Sequence, residues 1–168
     1  MRAPSLYSHF PSKAGIVDAM FGEAWQDLYD LRQVAEAELP DDPRAALLAV
    51  ARIVVEYFTA DPERYALMNQ RPVPGFVPSA EAYVPAVHSV ELLGELLSRL
   101  GVHDPDAVDL WTALMVGLVN QQIANDPGGD RWVRLLPRVV EMYADEVGVP
   151  ASSARSTRHA RHDTRRTR

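Results

Sequence analysis

Cysteine is absent from this 168-residue sequence. That excludes disulfides, zinc–thiolate sites and a thiol nucleophile, and a reducing, cytoplasmic setting is the expectation. No apolar run approaches the length of a membrane span and no secretory leader is visible, so no membrane partner is expected. Stretches of alternating apolar and polar residues joined by hairpin turns are also missing, which argues against a sheet. There is no nucleophile elbow, no phosphate-cradling loop and no His-Glu pair on one helix; an enzyme is not expected and no catalytic residue is assigned. The five histidines (His9, His88, His103, His159 and His162) have no metal-ligand spacing beyond His159 and His162 in a polar tail, so no metal or other cofactor is expected.

The net charge of −6 hides an asymmetry. Residues 1–150 carry 11 Lys+Arg against 22 Asp+Glu, whereas residues 151–168 carry six arginines against one aspartate. An acidic body is poorly suited to general nucleic-acid affinity. The first acidic residue is Asp18, and Arg2 and Lys13 precede it. Any DNA contact by the body is therefore expected from that end. The tail over 151–168 is Ser, Arg, Thr and His without apolar periodicity, and disorder is expected there.

What is present is helix. Apolar content of 47% can support a sizeable core. The pairs Asp42-Pro43, Asp61-Pro62 and Asp104-Pro105 each read as a helix start, because Asp caps free amides and Pro wastes no N–H in the first turn. Helices are expected over about 13–38, continuous or with a break, with Ile16, Val17, Met20, Phe21, Ala24, Leu28 and Leu31 in helical spacing. Others follow over 43–59 and 62–70, from 79 or 85 to 100, over 105–125, and over 131–147 with Asp130 as cap and a kink at Pro137. The Pro/Gly-rich stretch 71–78 is the longest internal loop. The fold class is all-α.

Residues 4–10, Pro-Ser-Leu-Tyr-Ser-His-Phe, read as a short helix opened by proline. Leu6 and Phe10 share a face, and the remaining polar side chains point elsewhere. Pro11 breaks this helix, Ser12 can cap the next, and Lys13 stands at its start. A narrow apolar edge with a polar outer face suits a DNA major groove. In their order and spacing, Ser5, Leu6-Tyr7, His9-Phe10 and Lys13 resemble the recognition helix and following turn of the tetracycline-repressor (TetR) family of bacterial transcription regulators. The resemblance implies a helical bundle whose helix-turn-helix is incomplete in this chain, with two further helices preceding Met1 in the native protein.

It also implies DNA contact by Arg2, Ala3, Pro4, Ser5, Tyr7, Ser8, His9 and Lys13. Tyr7, His9 and Lys13 would grip phosphates, and Arg2, Ala3 and Pro4 would meet base edges of a double-stranded operator. On this reading, residues 1–38 are the remnant of the DNA-binding domain with its connecting helix. Residues 39–150 form a ligand-binding and dimerisation domain, and 151–168 the basic tail. The expected protein is a small-molecule-responsive repressor; the alternative is a dimeric ligand-binding module that no longer binds DNA.

Two sites belong to that expectation. Large or adaptable side chains on the middle helices, Tyr57, Phe58, Tyr65, Met68, Phe76, His88, Trp111, Met115 and Gln121, are candidates to line an effector pocket, and they suit a plain core equally. The last two helices are apolar on most faces, as a self-complementary homodimer seam would be. The candidates there are Trp111, Leu114, Leu118, Ile123, Trp132, Leu136, Val140 and Tyr143.

Overall fold

Short polar caps set where the helices begin. In the computed structural model, which describes residues 12–70 and 72–151, Ser12 accepts a hydrogen bond from Gly15 N–H (3.0 Å) and opens α1, Lys13–Glu36. Asp42 accepts from Ala45 N–H (2.9 Å) ahead of α2, Pro43–Ala60, and Asp61 from Arg64 N–H (2.9 Å) ahead of α3, Pro62–Asn69. Ser79 caps α4, Ala80–Arg99, through Ala82 N–H (3.1 Å). The chain then forms α5, Ala107–Asn125, a 3-10 turn at Val133–Leu135 and α6, Leu136–Glu146. No strand occurs among the described residues. The helix expected over residues 4–10 and the basic tail beyond Ala151 lie outside the described residues.

Several boundaries differ from the sequence expectation. α1 is unbroken. α4 starts at its Ser79 cap and carries Pro85 inside it. Asp104-Pro105 does not start α5: the Asp104 carboxylate accepts from Asp106 N–H (2.9 Å) in a local turn, and the helix begins at Ala107. Pro137 does not kink a long last helix. It sits in the first turn of a shorter one, where its missing N–H costs nothing. Asp130 is not that helix's cap either; a buried glutamine on α5 takes up the free amides there, as described below.

The core is built around α2 and α5. Leu47, Val50, Ala51, Val55 and Phe58 meet Trp111, Met115, Leu118 and Val119. Leu93, Leu96 and Leu97 of α4 close one side, and Leu136, Val140, Tyr143 and Ala144 of α6 the other. α1 lies chiefly along α4. Gly22 allows the close approach, since a Cβ there would stand 3.3 Å from the Ala82 Cα. Asp18 ties the same end: it accepts from Ser79 N–H and Ser79 Oγ–H, both at 2.7 Å. Those bonds hold its carboxyl below the ordinary aspartate value. At the far end, Arg44 reaches Glu141 (2.8 Å), Asp145 (2.7 Å), Val149 O (2.8 Å) and Pro150 O (3.0 Å) and joins α2 to the end of α6.

The face of α1 turned inward is not the one expected. Phe21, Ala24 and Leu28 are buried as anticipated, but the next position on that stripe is Arg32, while Leu31 and Met20 face out. This places a guanidinium on the apolar side of an amphipathic helix.

Candidate ligand cavity

A cavity of about 90 Å³ lies between α1 and the rest of the bundle. α1 contributes Trp25, Leu28 and Arg32, and α2 contributes Val54 and Phe58. Ser89, Val90 and Leu93 come from α4, Trp111, Thr112, Met115 and Val116 from α5, and Asn69 from the end of α3. The walls are mostly apolar and aromatic, with a few polar groups at fixed positions, the usual make-up of a small-molecule site. Larger depressions, such as the one of about 330 Å³ at Arg52, Glu56, Asp130 and Arg134, lie on the outside of the bundle among exposed side chains.

Arg32 dominates the polar character of the cavity. It is 5% exposed, and its Nη1 donates to Ser89 O at 2.8 Å. Its Nε and Nη2, Trp25 Nε1 and Ser89 Oγ are buried without a hydrogen-bond partner among the described residues. A buried donor left unpaired is costly, most of all on a charged group. Burial pushes the Arg32 guanidinium below its ordinary value, and Glu36 one turn on partly opposes this through its charge. Glu36 does not close the account: its Oε2 is taken by Arg99, and its Oε1 has no hydrogen-bond partner among the described residues.

Aromatic contacts run from the cavity wall to the start of α1. Trp25 meets Phe58 edge-on at 6.3 Å and Phe21 at 6.4 Å. Phe21 in turn stacks on Tyr83 (6.1 Å) and touches Phe76 edge-on (6.3 Å). A displacement of Trp25 would therefore press on the 72–78 loop and on the end of α1 held by Asp18 and Ser79.

Of the nine pocket candidates, the structure brings Phe58, Trp111 and Met115 to the cavity. The others lie elsewhere. Tyr57 is buried against α1, donating to Ala24 O at 2.7 Å. Tyr65 is in the core, its hydroxyl on Asn120 (2.9 Å), and Met68 packs in the same core. Phe76 belongs to the Phe21 cluster, His88 is exposed beside Tyr29, and Gln121 is exposed and paired with Asn125. Arg32, Trp25 and Ser89 were missed, although a signal for Arg32 existed: it stands four residues after Leu28 on the apolar stripe.

The dimer candidates are mostly interior to one subunit. Trp111, Leu118, Leu136, Val140 and Tyr143 are buried in its own core, and Leu114, Ile123 and Trp132 are half-buried. The outward apolar or small residues of α5 are instead Leu110, Ala113, Gly117 and Ala124. Of the DNA-contact candidates, Arg2, Ala3, Pro4, Ser5, Tyr7, Ser8 and His9 lie outside the described residues. Lys13 is exposed at the first position of α1. Among the described residues, no three His, Asp or Glu side chains gather as a metal site, and no helix is long and apolar enough to cross a membrane.

Residues 47–131, from α2 to the turn after α5, match the family model for the "Tetracyclin repressor-like, C-terminal domain". No curated protein and no solved structure matches the chain. The match takes in the cavity walls from α2, α4 and α5, while Trp25, Leu28 and Arg32 on α1 stand before it. An all-helical bundle with this match across half its length belongs to the tetracycline-repressor-like family of transcription regulators.

Proposed function

We propose that this chain is the effector-responsive part of a DNA-binding transcription regulator, a repressor that acts as a homodimer and is released from a double-stranded operator by a small molecule. The observation that carries this reading is the double position of α1. Its middle forms one wall of the cavity, and its first residue follows directly on the Ser5–Leu6–Tyr7–His9–Phe10 motif. A ligand that shifts Trp25 or Arg32 shifts the helix to which the motif is joined. Across a two-fold dimer this changes the spacing of two reading heads, which must match half-sites about one DNA turn apart. Induction is then a population shift between two spacings, and it is only as strong as the difference in ligand affinity for them.

The dimer seam is assigned to the outward stripe of α5, Leu110, Ala113 and Gly117 with half-buried Leu114, together with exposed Met142 on α6. Lys13 grips a phosphate beside the groove, as does Tyr7 within the motif.

The test is binding to DNA from the protein's own promoter region over a range of salt. Affinity should fall linearly with salt on logarithmic axes, and Lys13→Ala and Tyr7→Ala should weaken it across all sequences. Absence of any binding to this DNA at low salt would refute the regulator reading and leave a dimeric ligand-binding module. The strongly acidic balance of residues 1–150 favours that second reading.

A further inference from the structure

We propose that the cavity binds a small apolar carboxylic acid as its carboxylate, held side-on by Arg32 with Trp25 and Ser89 as supporting donors. This rests on the reading of the cavity as an effector site and adds the chemical class of the effector.

The geometry selects the class. A guanidinium offers two edges to a carboxylate. Here Nη1 is committed to Ser89 O, which fixes the plane of the group and leaves the Nε–Nη2 edge free. That edge carries two parallel N–H donors, the fork that matches two carboxylate oxygens. The unpaired Trp25 Nε1 is a donor only, and the unpaired Ser89 hydroxyl can donate as well. Among the described residues, no Asp or Glu lines the cavity. A ligand head placed there meets unpaired donors on a positive group that no carboxylate bonds, so a negative head rich in acceptors fits it best. Glu36 answers the charge only through space, its Oε2 being bonded to Arg99.

The remaining walls, Leu28, Phe58, Leu93, Trp111 and Met115, ask for an apolar body. The volume of about 90 Å³ is below the ~150 Å³ of a cavity that holds benzene. As it stands the space takes a short chain, and a single ring enters only if Met115, the side chain best able to give way, moves aside.

Trp25 and Trp111 line the cavity, so tryptophan fluorescence reports binding directly. The experiment titrates the full chain with benzoate and hexanoate, and with benzamide and 1-hexanol as uncharged counterparts, in a buffer free of carboxylates. The expected result is saturable quenching and a raised melting temperature with the acids, at affinities at least about tenfold above those of the uncharged probes. Arg32→Met should abolish that preference while melting no lower than wild type, because it removes an unpaired buried charge. Arg32→Lys keeps the charge without the fork and should retain only part of the preference.

Equal or tighter binding of benzamide and 1-hexanol overturns the anion assignment and leaves an effector site of another class. A preference for acids that survives in Arg32→Met also overturns it, as does the absence of any acid binding in wild type. The regulator reading fails separately, on the DNA experiment, so the two failures are distinguishable.

Discussion

Gln122→Leu should cost the fold about 2 kcal/mol, and the reason lies in the α5–α6 elbow. Gln122 is 3% exposed. Its Oε1 accepts from Trp132 N–H (2.9 Å) and Val133 N–H (3.1 Å), and its Nε2 donates to Asp126 O. The amide is satisfied only in this orientation, with its oxygen toward two donors and its nitrogen toward a carbonyl. The two N–H groups belong to the first turn of the segment leading into α6, and no side-chain cap bonds there from Asp130. Leucine fills a similar volume but leaves both amides without an acceptor. At about 1–3 kcal/mol for each buried group left unpaired, the low end applies because the elbow is only partly covered. A loss of about 2 kcal/mol lowers the melting temperature by roughly 4–8 °C in a domain of this size. Scanning calorimetry of wild type and Gln122→Leu reads the difference directly. Gln122→Glu keeps the acceptor but loses the donor and sets a second charge beside Asp126, so it should be destabilised as well. A Gln122→Leu protein melting within 1 °C of wild type would refute the claim that this side chain holds the elbow.

Arg44→Met should lose about 2 kcal/mol, read in urea denaturation. Most of that comes from the stranded Val149 carbonyl, because Glu141 and Asp145 (side chains 39% and 71% exposed) and the exposed Pro150 recover water. Tyr143 is pushed up to about 12 by burial and by the charge of Asp104. A group raised in the folded state contributes stability that is complete below its unfolded value of about 10 and is lost as pH rises through its folded one. Melting temperatures measured from pH 9 to 12 should therefore fall more steeply for wild type than for Tyr143→Phe. Tyr143→Phe should in turn be less stable by about 1 kcal/mol at neutral pH, having lost the bond to Ala107 O. Ala113→Arg, on the outward stripe of α5, should yield a folded monomer by sedimentation whose melt no longer depends on protein concentration; an undiminished dimer would move the seam elsewhere.

The helix starts were legible in the sequence because capping is local. Ser12, Asp42, Asp61 and Ser79 each bond an amide three residues on, and that needs nothing beyond the chain's own next turn. The all-helical class followed from the period of the apolar residues for the same reason. Asp104-Pro105 shows where local reasoning stopped: the carboxylate had a nearer amide at Asp106, and a turn formed where a helix start was expected.

Which side of a helix faces inward was decided by tertiary packing, since neighbouring positions on a helix point about 100° apart. Periodicity alone made Leu31 a core residue, yet the approach of α1 to α4 turned Arg32 inward and Leu31 out. Gln121 and Gln122 differ in the same way: the exposed one was read as a pocket residue, and the buried one fixes the elbow. Leu118, Val140 and Tyr143 had apolar surface enough for a dimer seam, but one subunit consumed it through α2. Sequence alone determined the class of fold and its punctuation, and the match over residues 47–131 shows the family that the motif at residues 4–13 resembles. Only the packing of α1 against α4 and the core decided that a cavity exists and that a guanidinium with two unpaired donors is among its walls.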